Sequence, residues 1–127
     1  MASLAPTHTI HADSARGELH FAIGGFWTRA AMEEFLKDLT RAGLPFLQAG
    51  RDFSALGDLS EFVPQDRETA AAIRDSLIEG SKNGLTRFAV VSSSSLVQMQ
   101  YRRITQGLDV AFFDDVRSAE QWLRASR

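Results

Sequence analysis

The sequence predicts an α/β fold, a mixed five-stranded sheet with four helices in the order β-β-α-β-α-β-α-β-α. Three observations carry this. The hydrophobic period changes from 2 to 3.6 after Thr28. Apolar runs too short for helices, Phe88–Val91 and Val110–Phe113, each lead into an amphipathic stretch. The chain also opens with two alternating segments around the polar turn "DSARG". Single helices between strands imply right-handed crossovers and a largely parallel sheet. Only the first strand, joined by a hairpin, must run against its neighbour.

The elements follow in order. Thr7–Ala12 and "ELHFAIGGF" form the hairpin, with Leu19, Phe21 and Ile23 on one face and Glu18, His20 and Ala22 on the other. Thr28 is the expected N-cap of a helix whose stripe is Met32, Phe35, Leu36 and Leu39. Gly43 and Pro45 are its expected stop signals. "FLQAGRDF", Phe46–Phe53, reads as the third strand, followed by an irregular segment to Pro64. Asp66 caps a second helix with Ala70, Ile73 and Leu77 inward, closed by Asn83-Gly84. Strand four is Arg87–Ser92, and the third helix carries Val97, Tyr101, Ile104 and Leu108 on one face. "DVAFFD" is strand five, and a last helix from about Val116 turns Ala119, Trp122 and Leu123 inward.

At 127 residues the chain fits one domain, expected over 7–127 after a loose tail at 1–6. Fourteen basic against sixteen acidic side chains give a net charge of −2, without the electrostatic footprint of a nucleic-acid or anionic-membrane binder. Cysteine is absent, which removes disulfides, thiolate metal sites and cysteine nucleophiles together. "MASLAPTH" lacks the basic and apolar regions of a secretion signal, and no apolar run approaches the ~20 residues of a membrane span. A cytoplasmic protein is the expectation.

Several residue groups invite a chemical reading. Ser92–Ser95 lie where a strand feeds a helix, a place that favours anions. Nucleophile-elbow and phosphate-loop glycines are missing there, so the serines read as a turn with Ser94 or Ser95 as N-cap. His8 and His11, three apart on a strand, point to opposite faces, so no metal site is expected. Gly24-Gly25 precedes bulky Phe26 and Trp27, unlike a dinucleotide-binding turn. Asp52 is reminiscent of a receiver-type phosphorylation site, but strand five ends in Asp114-Asp115 where that chemistry needs a lysine. Arg51 and Asp52 either follow a strand ending at Gly50 or face a cleft at the sheet's carboxyl edge. Phe53, Leu56, Leu59, Phe62 and Val63 crowd an apparent loop. They either tuck into the core or form a lid that makes a pocket with Trp27.

The hairpin-first order, "FAVVSSSS" leading into "LVQMQYRR", "DVAFFDD", and the closing "AEQWL" together resemble the STAS group, the SpoIIAA-like fold of anti-sigma-factor antagonists. The likeness spans Thr7 to Ala125 and is nearer to the small stand-alone bacterial members. That resemblance implies a SpoIIAA-like sandwich and a non-enzymatic regulatory or protein-interaction domain, with no cofactor. Classical members carry an Asp-Ser-Ser-Gly type segment, phosphorylated by a kinase partner, at the start of the helix after strand three. "RDFSALGDLSEFVPQDRET" lacks it, and Ser54 and Ser60 are only loose substitutes. The expected partner-binding edge comprises Trp27, Arg51, Asp52, Ser54, Leu56, Leu59, Phe62, Ser93, Ser94 and Ser95. The alternative is a carrier of a small hydrophobic, lipid-like ligand under Phe53–Val63. A homodimer through the hairpin edge is possible.

Overall fold

The computed structural model describes residues 4–125. Its elements are β1 (Thr7–Asp13), β2 (Glu18–Gly25), α1 (Arg29–Gln48), β3 (Phe53–Phe62), α2 (Arg67–Lys82), β4 (Leu85–Val91), α3 (Ser95–Ile104), β5 (Val110–Phe113) and α4 (Val116–Arg124). The sheet order is β1-β2-β3-β4-β5, antiparallel between β1 and β2 and parallel thereafter. The predicted element order and the mixed sheet are therefore observed. Of the expected tail, residues 1–3 lie outside the described residues. Leu4 runs beside the end of β2, where its carbonyl accepts from Phe26 N at 2.8 Å.

Two stretches differ from the sequence expectation. Leu108 is not on the third helix, because α3 ends at Ile104 and Gly107 turns the chain at φ +87°. The larger difference is in the first helix. The helix does not stop at Gly43 and Pro45, and Phe46–Phe53 is not a strand: α1 runs on to Gln48. Proline removes one helical hydrogen bond, a cost that tertiary contacts can outweigh near a helix end. Phe46 supplies them, since it is buried and stacks on Phe53 at 5.3 Å. The true stop is Gly50 at φ +63°, where Gly50 N donates to Leu47 O and Arg51 N to Phe46 O. These are the two bonds of a Schellman cap. Consequently Phe53–Phe62 is neither an irregular segment nor a lid. It is β3, the middle strand of the sheet. Gly57 within it is required by a close approach, because a Cβ there would sit 2.6 Å from the Phe21 ring.

The caps behave as their residue types dictate. Thr28 accepts from Ala31 N, Asp66 from Thr69 N, Ser94 from Val97 N and Asp115 from Ser118 N. Those backbone donors hold the Asp66 and Asp115 carboxyls below the usual carboxylate range.

The strands advance through the sheet in one direction, and the two faces are covered unequally. Residues from α1, α2 and α3, among them Met32, Phe35, Ile73, Val97 and Tyr101, share one core with Phe21, Ile23, Ala55, Leu59 and Phe88. The opposite face carries a smaller cluster of Leu56, Ala89, Val91, Ala119 and Leu123, built against α4. An ion pair fixes that helix. Glu18, fully buried at the start of β2, accepts from Arg124 Nε and Nη2 at 3.0 Å each, and lies 2.9 Å from His20 Nε2. The bond to Glu18 raises the Arg124 pKa further above its ordinary range. Trp122 lies under the Arg87 guanidinium at 3.7 Å, which also donates to the Trp122 carbonyl at 2.9 Å.

Candidate functional site

Parallel strands give the sheet two distinct rims. The carboxyl rim holds Trp27, the Val63–Asp66 connection and the serine corner. It is closed by protein. Gln65 is buried, and its Oε1 accepts from Trp27 N at 2.8 Å while Nε2 donates to Gly25 O at 3.0 Å and Val63 O at 2.6 Å. Gln65 and Gln100 exchange backbone-to-amide bonds of 2.8 Å in both directions. Trp27 is buried too, with its indole donating to Gly24 O and its carbonyl accepting from the Thr69 hydroxyl. Around Gln65 and Trp27 these polar groups are satisfied by one another.

The predicted site residues do not converge on this rim. Arg51 and Asp52 precede β3 and therefore occupy the amino rim, opposite the serines, neither ending a strand nor facing a carboxyl-edge cleft. Arg51 donates to the Ser14 and Ala15 carbonyls of the hairpin loop and lies over Phe46, so it ties the loop to the end of α1. Ser54, Leu56, Leu59 and Phe62 are buried within β3. Leu56 belongs to the α4 face, whereas Leu59 and Phe62 belong to the larger core. Ser93 and Ser95 are exposed, Ser94 caps α3, and the buried Ser92 Oγ accepts from Ser94 N at 3.1 Å. Among the described residues, none of Ser92–Ser95 is hydrogen-bonded to a histidine or carboxylate. His8 meets the Phe35 ring at 5.4 Å on one face, and His11 meets His20 at 6.5 Å on the other.

The sequence reading missed a concave feature of the molecule. An apolar cavity of about 260 Å³ lies between α1, α2 and the sheet. Leu19, Phe21 and Ile23 of β2, Ala55 of β3 and Phe88 of β4 form its floor; Met32, Phe35, Leu36 and Leu39 form one wall and Ile73 and Leu77 the other. Small residues create the space. Gly43 and Gly80 face it from the two helices and Ala55 from the sheet. A Cβ at Gly43 would meet only Leu19, at 3.8 Å. The mouth lies at the amino rim, between Leu44 and Leu47 of α1, 37% and 45% exposed, and Glu79 of α2 with the Asn83 that caps it. At the inner end Met32, Ile73 and Tyr101 are buried. Burial pushes the Tyr101 phenol well above its ordinary range, with no hydrogen bond contributing. Neither lysine, arginine nor histidine lines the cavity.

No helix among the described residues is long and apolar enough to cross a membrane, and no group of three or more His, Asp or Glu there is placed to hold a metal ion. No curated protein matches the chain. Solved structures share its architecture, the following two among them. An uncharacterized Shewanella loihica PV-4 protein of the DUF3478 family, with a SpoIIAA-like fold, aligns at TM-score 0.67 and 23% identity over 97% of this chain and 98% of its own. An anti-sigma factor antagonist from Mycobacterium paratuberculosis aligns at TM-score 0.66 and 12% identity over 97% of each chain. The SpoIIAA-like family model matches residues 19–124, and with that span, the one-way strand order and the leading hairpin in hand, the chain belongs to the SpoIIAA-like family.

Proposed function

We propose that this SpoIIAA-like domain is a non-enzymatic binder of a small apolar ligand, held between α1 and α2 instead of under Phe53–Val63. The observation that carries it is the cavity of about 260 Å³ with an open mouth. A dry apolar cavity of ~150 Å³ already takes up benzene, and most ligand sites are apolar hollows with a few polar groups. The helix after the third strand starts on Asp66, a fixed carboxylate, and no serine lies between Val63 and Thr69. The Thr69 hydroxyl is buried and committed to Trp27 O, which supports a domain without the kinase-operated switch.

The test is a chemical-shift titration of the intact protein with α-methylstyrene, a neutral apolar probe. Saturable shifts confined to α1, α2 and the cavity floor, lost in Ala55→Ile, are the expected result. Unsaturable shifts, or shifts indifferent to Ala55→Ile, would overturn the assignment.

A second reading, docking of a partner protein as the resemblance to anti-sigma factor antagonists suggests, has its own support. Leu96 and Met99 on α3 are 63% and 52% exposed beside Ser93 and Ser95. Leu96→Glu with Met99→Glu should abolish partner capture if that surface is used, while leaving probe binding intact.

A further inference from the structure

Every polar side chain around the cavity has an evident use except one. The Thr40 hydroxyl donates to Leu36 O within its own helix, Asn83 donates to the Glu79 carbonyl and carboxylate at the mouth, and Ser76 is partly open to solvent. Tyr101 differs. It is only 2% exposed, its ring packs against Phe62, and its phenol makes no hydrogen bond among the described residues. No wholly buried side-chain oxygen or nitrogen lacks a partner among those residues, so the phenol oxygen is not sealed in. Tyr101 is itself one of the residues that line the cavity.

We propose, resting on the cavity reading above, that the ligand is a neutral amphiphile: an apolar body between α1 and α2, and one carbonyl or hydroxyl oxygen that accepts from the Tyr101 phenol at the inner end. A buried hydroxyl is costly to leave unpaired, so a ligand that supplies an acceptor there gains more than a pure hydrocarbon of the same shape. The charge pattern sets the other half of the specificity. With no cation in the lining and Glu79 at the mouth, a carboxylate would be desolvated without compensation and repelled on entry. A protonated phenol supplies one donor, which suits a neutral acceptor.

The experiment is a two-by-two cycle on the intact protein. Acetophenone and α-methylstyrene have nearly the same shape and differ in a carbonyl oxygen against a methylene, while Tyr101→Phe removes only the hydroxyl. The variant should weaken acetophenone about tenfold, the size of one net hydrogen bond, and leave α-methylstyrene within about twofold. Benzoate should bind wild type more weakly than acetophenone. Because Tyr101 is the chain's single tyrosine, its ¹³Cζ resonance gives a readout that needs no variant. It should move with acetophenone and stay with α-methylstyrene. An unchanged ketone-to-alkene ratio in Tyr101→Phe, an unmoved Cζ signal at ketone saturation, or tighter binding of benzoate would each overturn the proposal while leaving the cavity reading standing. Failure of both neutral probes to bind wild type would overturn the cavity reading itself, and this proposal with it.

Discussion

The two rims of the sheet are built on opposite principles. The carboxyl rim is stitched by polar bonds that converge on Gln65 from Trp27, Gly25, Val63 and Gln100. On the α1–α2 side, the amino rim is apolar and left ajar, with Leu44 and Leu47 in solvent over a cavity floored by Leu19 and Ala55. Open parallel sheets conventionally bind ligands at the carboxyl rim, in a crevice where the strand order reverses. Here the order runs β1 to β5 without reversal, so neighbouring crossovers do not part to make one. The hollow appears instead where two helices on the same face fail to fill the space between them.

Substitutions can break or sharpen this contrast. The largest effect is expected on the α4 side of the amino rim, where polar bonding is as tight as at the other rim. Arg124→Ala leaves the fully buried Glu18 carboxylate without its strongest partner and should cost about 3 kcal/mol, the lower end for buried pairs because the guanidinium is a third exposed. Next comes Gln65→Ala, which strands several buried donors and acceptors and should cost about 2 kcal/mol in denaturant unfolding. Leu47→Ala at the open mouth should stay within about 0.5 kcal/mol of wild type. Equal losses at Gln65 and Leu47 would erase the difference between the rims. Ala55→Ile, filling the hollow, should add about 1 kcal/mol and raise the melting temperature by a few degrees.

The smallest effect concerns pH. The Tyr101 pKa is raised in the folded chain, so its contribution is complete below the unfolded value of 10.0 and is lost as pH climbs beyond it. Unfolding at alkaline pH should therefore release a phenolate absorbance that is absent while the protein is folded. Tyr101→Phe should lose less stability than wild type above that point.

Most of the architecture was legible because hydrophobic period and caps are local signals. The face assignments of β2, the Thr28 and Asp66 caps and the inward stripes of the four helices, Leu108 apart, all follow from neighbours a few residues apart. The error at α1 also has a local form. Gly43 and Pro45 look like terminators, but the packing of Phe46 on Phe53 outweighs them, and Gly50 ends the helix instead. That single shift displaced the third strand and moved Arg51 and Asp52 to the wrong rim. The cavity was not legible. It depends on Gly43, Ala55 and Gly80 being small at places that meet only in three dimensions. The isolation of the Tyr101 phenol is equally invisible, because Tyr101 sits at an ordinary core position of its helix.

The clasp between Glu18 and Arg124 joins residues 106 apart along the chain. While the polypeptide is being synthesised, β2 can find β1 and β3 long before α4 exists. Until then the Glu18 carboxylate lacks the Arg124 guanidinium, and drying that corner would be unfavourable. The emerging hairpin must keep the Glu18 carboxylate wet on the ribosome, which makes the arrival of α4 the event that commits this side of the sheet to its native burial.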